Sequence, residues 1–311
     1  MEANRSLMSK ADMQVADLIA DGGYLQEEQA TAFVVNLIKA AVILPMITVQ
    51  PLRSHTKIID KVGLNGRVLR PGTSGHAVPP GDRAKPVTAH TTLETRLMKG
   101  EIRLNDEVLE DQIEGGNFKT TVMGMMSEQV ALDMDELCIN GDTASTDPFL
   151  AQFDGMIKTG SAHDVNAGTV ALSKTHLKNA INSMPSQYNR NRAAQRFLTS
   201  ERAENDYRDY LADRATVLGD TMIVQDAPVR YGNRPILPIP MFPDNLGGGF
   251  NCTNVLLCDP KNAVWGVWRR VRVETDRDIT TGEWVMVVTL RAGFKWQERD
   301  AVVRITNVKT S

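Results

Sequence analysis

The 311-residue chain carries 35 Lys and Arg against 38 Asp and Glu, a formal net charge of -3, and 42% of its residues are hydrophobic. That balance is that of an ordinary globular protein with room for one large or two modest cored domains, and it argues against a chain whose main task is gripping nucleic acid, since such domains carry a large basic excess. No run approaches the roughly 18 apolar residues of a membrane span, and the opening MEANRSLMSKADMQ has no apolar core of a secretory signal. A soluble protein made and used in the cytoplasm is therefore expected, with no membrane partner. Its three cysteines, Cys138, Cys252 and Cys258, have no CxxC spacing and read as reduced, buried thiols.

In chain order, a short helical pattern at 13–20 is broken by Gly22 and Gly23. A second helix follows, with Phe33, Val34, Leu37, Ile38, Ala41 and Val42 on one stripe and Pro45 beyond its end. This arm has one apolar face and little of its own to bury it against. From Lys57 to about Arg70, and again from Val87 to Leu104, the chain is rich in β-branched and charged residues. The tract PGTSGHAVPPGDRAKP between them is dense in turn formers. A long two-stranded hairpin with an irregular tip is the simplest geometry, and because an isolated ribbon is marginal in water it must lie on another surface.

A long helix is predicted from Phe118, with Val122, Met126, Val130, Met134 and Cys138, joined by Met123 and Leu137, as its buried face and Asn140-Gly141 as its stop. Between about Thr143 and Asp259 helical and strand signals alternate: a helix capped by Ser173, a strand at AQRFLTS, a helix capped by Ser200, then strands at TMIVQDAPV and NVLLCD. PILPIPMFPDNLGGGFN is expected to be an exposed loop. The tail from Trp265 to Val308 reads as a three-stranded meander. Its first segment, WGVWRRVRVETDRD, alternates: Trp265, Val267, Val271 and Val273 face one way and Trp268, Arg270, Arg272 and Glu274 the other. Two tryptophans among arginines could also be a nucleic-acid strip, in which aromatics stack on bases.

No enzymatic constellation emerges. The five histidines, His55, His76, His90, His163 and His176, form no metal-ligand spacing, and there is no GxSxG, Walker A or GxGxxG motif. Gly247, Gly248 and Gly249 have no following Lys-Ser/Thr and read as a flexible loop. No catalytic, cofactor or metal residue is assigned, and no cofactor is expected.

Charge says more. Residues 57–104 hold nine basic and four acidic side chains, a net of +5, whereas residues 105–142 hold ten acidic and one basic, a net of -9. A basic arm and an acidic helix in one chain suit contact between copies, in which each offers an arm and a receiver; such heterologous contacts close into rings and shells or run on as filaments.

In this order the parts resemble the major capsid proteins of tailed bacteriophages. The similarity covers essentially the whole chain. It is carried most by NVLLCDPKNAVWGVWRRVRVETDRDITTGEWVMVVTLRAGFKWQERDAVVRITNV, with its Asp-Pro-Lys turn leading into strands, and by FDGMIKTG after the long helix. The resemblance implies an α+β chain of the Hong Kong 97 fold: an N-terminal arm at 1–45, a peripheral domain at 46–142 and 260–311 with a spine helix at 118–139 and an extended β-hairpin loop at about 57–104, and an α/β axial domain at 143–259. It implies a shell subunit forming hexamers and pentamers around double-stranded DNA, without sequence-specific contacts. Portal and decoration proteins are further implied partners, with a separate scaffolding protein or none, the arm being too short for a fused one. The extended loop would then meet a neighbour through Arg67, Arg70, Arg83, Lys85 and Arg96, and the N-terminal arm through Phe33, Leu37 and Ile38. Asp111, Glu114, Glu128 and Asp135 would form the acidic receiver on or beside the spine helix. Lys57, Lys61, Lys85 and Lys99 are candidates for the crosslinks that some members form, and read first as ordinary surface lysines. An encapsulin-like compartment shares the implied fold.

Overall fold

The computed structural model describes residues 42–64, 83–105, 118–212, 228–246 and 251–311, with most of 68–81. The helical patterns before Val42, most of the strand expected at TMIVQDAPV, and Gly247 to Gly249 lie outside the described residues.

The first strands are β1 (Thr48–Pro51), β2 (Thr56–Leu64), β3 (Pro86–Glu94) and β4 (Arg96–Asn105). β2 and β3 pair antiparallel from Thr56↔Glu94 to Leu64↔Pro86 and make a two-stranded sheet by themselves. The expected hairpin is thus present, but its second run divides at Thr95. Beyond it β4 leaves the hairpin to pair elsewhere, so the ribbon is shorter than 57–104. Thr95 fixes the break: its N–H and hydroxyl both donate to the His55 carbonyl, at 3.1 and 3.0 Å.

Helix α1 (Phe118–Asn140) matches the predicted spine helix to within a residue. Val122 and Met126 bury against Leu104, Met286 and Val288, and Leu137, Cys138 and Ile139 enter the main core. The chain continues through α2 (Met156–Thr159), β5 (His163–Val170), α3 (Lys174–Ser183), β6 (Arg196–Thr199), α4 (Glu201–Ala212), β7 (Arg230–Tyr231), β8 (Arg234–Pro238), β9 (Cys252–Cys258), β10 (Ala263–Asp278), β11 (Glu283–Trp296) and β12 (Val303–Lys309). A larger sheet runs β5-β12-β9-β6-β8-β7 and a second runs β1-β10-β11-β4. One core cluster joins them, from Leu198 and Leu256 of the larger sheet to Trp265, Phe294 and Trp296 of the smaller. The fully buried Trp296 meets Phe294 edge-on at 5.4 Å between ring centres, and its indole N–H donates to the Met156 carbonyl at 3.4 Å.

Several expectations are corrected. β12 does not complete a meander with β10 and β11; it lies between β5 and β9, burying Val303, Ile305 and Val308. Residues 260–311 therefore contribute β10 and β11 to the smaller sheet and β12 to the larger. PILPIPMF is not an exposed loop either: it forms β8 beside β6, then sends Ile239 and Phe242 into the core. β7 and β8 join through Gly232 and Asn233, both at positive φ (57° and 65°), the backbone that a two-residue hairpin turn of this hand requires. At α3, the Ser173 hydroxyl makes no capping bond to the backbone and instead meets His176 Nδ1 at 3.2 Å. Ser200 does cap α4, accepting from the Ala203 N–H at 3.4 Å.

Candidate assembly surfaces

Among the described residues the β2–β3 hairpin stands apart from the two larger sheets as a ribbon of its own. Its pleat turns Lys57, Ile59 and Lys61 toward the body and leaves Thr56, Ile58 and Asp60 exposed. Both outer edges lack a ladder partner among the described residues. At the tip Leu69 is 90% exposed and Val68 and Val78 are also exposed, while Arg83 Nε donates to the Val78 carbonyl at 3.0 Å and so ties the tip to itself. Exposed apolar side chains and open strand edges are features that mark interaction surfaces in proteins generally.

The hairpin root, by contrast, is firmly seated. Gly266 and Gly293 sit opposite each other on β10 and β11. A Cβ on Gly293 would lie 1.9 Å from the Glu94 carbonyl oxygen, and one on Gly266 would lie 2.6 Å from Leu93 Cδ2. The paired glycines thus open a gap in the sheet face that the end of β3 fills, with Leu93 fully buried against Leu52 and Val264. Lys61 Nζ reaches Glu298 at 3.1 Å and adds a half-buried tether.

The arm's basic charge is partly spent inside the subunit. Besides Lys61, Lys99 pairs with Glu101 at 2.9 Å, Arg103 with Glu101 at 2.9 Å and Glu283 at 3.4 Å, and Arg96 with Glu94 at 3.9 Å. Lys99, then Arg103, hold the Glu101 carboxyl below its ordinary range. Of the predicted contact residues, Arg83 and Lys85 are exposed near the tip and in no ion pair among the described residues, Arg96 is engaged with Glu94, and Arg67 and Arg70 lie outside the described residues.

On the acidic side Glu128 is half-buried on α1, and Asp111 and Glu114 lie outside the described residues. Asp135 is a correction. It is 2% exposed, and its carboxylate accepts the backbone N–H groups of Val42, Ile43 and Leu44, the last two at 3.1 Å. Three successive N–H groups make a concave anion cradle, so Asp135 holds its own chain's 42–44 segment and presents nothing to a neighbour. Burial pushes its carboxyl up, against the three N–H bonds that pull it down. Phe33, Leu37 and Ile38 of the preceding arm lie outside the described residues.

The tryptophan-arginine strand is not a stacking strip. Trp265 is 2% exposed and meets Phe153 edge-on at 5.7 Å. Trp268, the more exposed, stacks with His55 at 6.0 Å and has the Arg291 guanidinium 4.5 Å from its ring centre. The expected alternation is interrupted by two bulges, between Val267 and Arg269 and between Arg269 and Arg272. Each inserts one extra residue, so the phase is restored after both. No group of three potential metal ligands occurs among the described residues. Cys138 and Cys258 are buried thiols pushed up by desolvation, and no described helix is long and apolar enough to cross a membrane.

Residues 22–307 match the model of the phage capsid family. The chain is 32% identical over 310 residues, 98% of its length and 99% of the relative's, to a putative prophage capsid protein, YqbE, of Bacillus subtilis strain 168. Among solved structures, the capsid of a native GTA particle superposes with a TM-score of 0.67 at 13% identity, covering 93% of this chain and 97% of that one. The holo-SrpI encapsulin complex of Synechococcus elongatus gives 0.62 at 10% identity, covering 96% and 97%.

Proposed function

The chain belongs to the phage capsid family, and from that premise we propose that it is the structural shell subunit of a phage or prophage head, assembling as hexamers and pentamers into an icosahedral capsid around double-stranded DNA. The observation that carries this reading is the β2–β3 hairpin: a ribbon with no further strand beside it among the described residues, seated on a glycine gap at its root and exposing apolar and basic residues at its tip. A neighbouring copy supplies the surface that the ribbon lacks. In this assignment the four-stranded sheet with α1 is the peripheral part, and the six-stranded sheet, with β12 added to it, is the axial part.

The residues proposed for the neighbour contact are Arg67, Arg70, Arg83 and Lys85 on the arm, meeting Asp111, Glu114 and Glu128 beside or on the spine helix, with Phe33, Leu37 and Ile38 burying apolar surface on an adjacent subunit. Charge pairs at such a rim set register and encounter more than affinity. Portal, decoration and scaffolding proteins are the further partners this role brings, and assembly would take place in the host cytoplasm. The test is negative-stain electron microscopy and light scattering of the expressed chain, beside a variant with Arg67, Arg70, Arg83 and Lys85 reversed to Glu. Closed shells from the unmodified chain and folded, unassembled subunits from the variant are expected. Shells from both would remove the arm's charge from the account, and a monomer from the unmodified chain, even with its scaffold candidate co-expressed, would remove the shell itself.

A further inference from the structure

A second charged surface lies on the six-stranded sheet. Arg196, Arg230 and Arg234 open β6, β7 and β8, and the pairings Phe197↔Ile236 and Arg230↔Pro235 bring all three to one end of the sheet. Arg190 and Arg192 lie on the loop before β6. Arg234 is 2% exposed, yet among the described residues its guanidinium donates only to neutral acceptors: Gln195 Oε1 at 2.6 Å, the Gly232 carbonyl at 3.0 Å, and Asn189 Oδ1. Gln195 passes the contact on, donating to the Tyr188 carbonyl at 2.9 Å, and its own carbonyl accepts from Arg196 Nη1 at 3.0 Å. The 188–195 loop is thus folded around a buried arginine, with Arg190 and Arg192 exposed on that loop and Arg230 exposed on β7, paired with Pro235 next to Arg234. None of the five arginines forms an ion pair among the described residues. Desolvation lowers the proton affinity of Arg234, and the neighbouring charge of Arg192 lowers it further.

Holding like charges together on a pre-shaped loop costs stability, and an anionic partner offsets that cost. Two such patches repel, so a two-fold contact of patch on patch is excluded and the contact is head-to-tail. α4 offers a complementary face. Its Arg202 and Arg208 are taken up by Asp244 and Glu204, and Asp206 accepts from Ser311, which leaves Glu201 and Asp209 exposed and in no ion pair among the described residues, next to the partly exposed Tyr210. We propose that the arginine patch of one subunit, at Arg190, Arg192 and Arg230, docks on Glu201 and Asp209 of helix α4 in a second copy, and that this contact closes the ring of subunits. The inference rests on the shell function proposed above.

The experiment compares four full-length proteins: the unmodified chain, Arg192→Glu with Arg230→Glu, Glu201→Arg with Asp209→Arg, and all four together. Melting of the unassembled subunit checks that these exposed changes leave the fold intact. Each pair alone should lower the yield of rings and shells at least tenfold, and the four-fold swap should restore it. Full assembly by the arginine variant overturns the proposal. So does a loss that the swap leaves unrepaired, and so do normal shells with less co-purifying nucleic acid, which would make the patch a phosphate contact. Absence of shells from the unmodified chain would instead contradict the shell function.

Discussion

The hairpins β2–β3 and β10–β11 are written in similar residues, β-branched and charged in alternation, and both are long antiparallel ribbons. They differ in what lies beside them. β10–β11 is flanked by β1 and β4, crossed by α1, and buries Trp265, Met286, Val288, Phe294 and Trp296. Among the described residues β2–β3 has no flanking strand, and its one fully buried side chain is Leu93, at the root. Burial of apolar surface is the main stabilising term in folding, so the first ribbon is held by its own subunit. The second is held at its root, and in the proposed assembly another molecule supplies the surface it lies on.

That contrast can be broken at several points. The largest effect is expected in the body: Trp296→Ala removes a fully buried indole and should cost about 3–5 kcal/mol in denaturant unfolding of the unassembled subunit. Gly293→Ala comes next. Its Cβ would collide with the Glu94 carbonyl, and since backbone cannot rotate aside as a side chain can, a loss of about 1–3 kcal/mol is expected, with faster proteolysis of the hairpin than of the body.

Asp135→Ala leaves three N–H groups without their carboxylate and should cost about 1–3 kcal/mol. Its pH dependence has a definite sign. Because burial raises this carboxyl in the folded state, the folded chain binds the proton more tightly than the unfolded chain, whose value is about 3.9. Asp135 therefore contributes less to stability as pH rises from there to the raised folded value, and the stability difference between the native chain and Asp135→Asn should fall along that window; a difference that grows with pH would contradict the assignment. The smallest effect is at the tether: Lys61→Met should change subunit stability by no more than about 1 kcal/mol, the scale of a partly exposed pair. Ile58→Ser, on the exposed face of the ribbon, should be nearly silent in unfolding, within about 0.5 kcal/mol, and should appear only in assembly.

What could be read in the sequence follows the same division between local and distant causes. α1 was legible because an apolar stripe, a helix-stopping Asn140-Gly141 and a length of several turns all agree. The hairpin was legible from its strands and its Gly- and Pro-rich tip. Strand membership was not: β12 has the pattern of any half-buried strand, and only the packing of Val303, Ile305 and Val308 decides that it leaves β11 for β9 and β5. Asp135 looked like one more surface carboxylate because the N–H groups it binds lie about ninety residues earlier. Two signals were available and specific. Tyr231-Gly-Asn-Arg234 is a hairpin-turn dipeptide, and isolated glycines within strands, here Gly266 and Gly293, mark close approach of another backbone.

The most direct test replaces residues 60–90 with an Asn-Gly turn between Ile59 and Thr91, shortening the ribbon while keeping its root, and compares this chain with the intact one by sedimentation and electron microscopy. The intact chain should sediment as closed shells, and the shortened chain should remain a folded subunit with an unchanged melting transition. Shells of equal yield and size from the shortened chain would contradict the claim that the hairpin is the arm by which subunits hold one another.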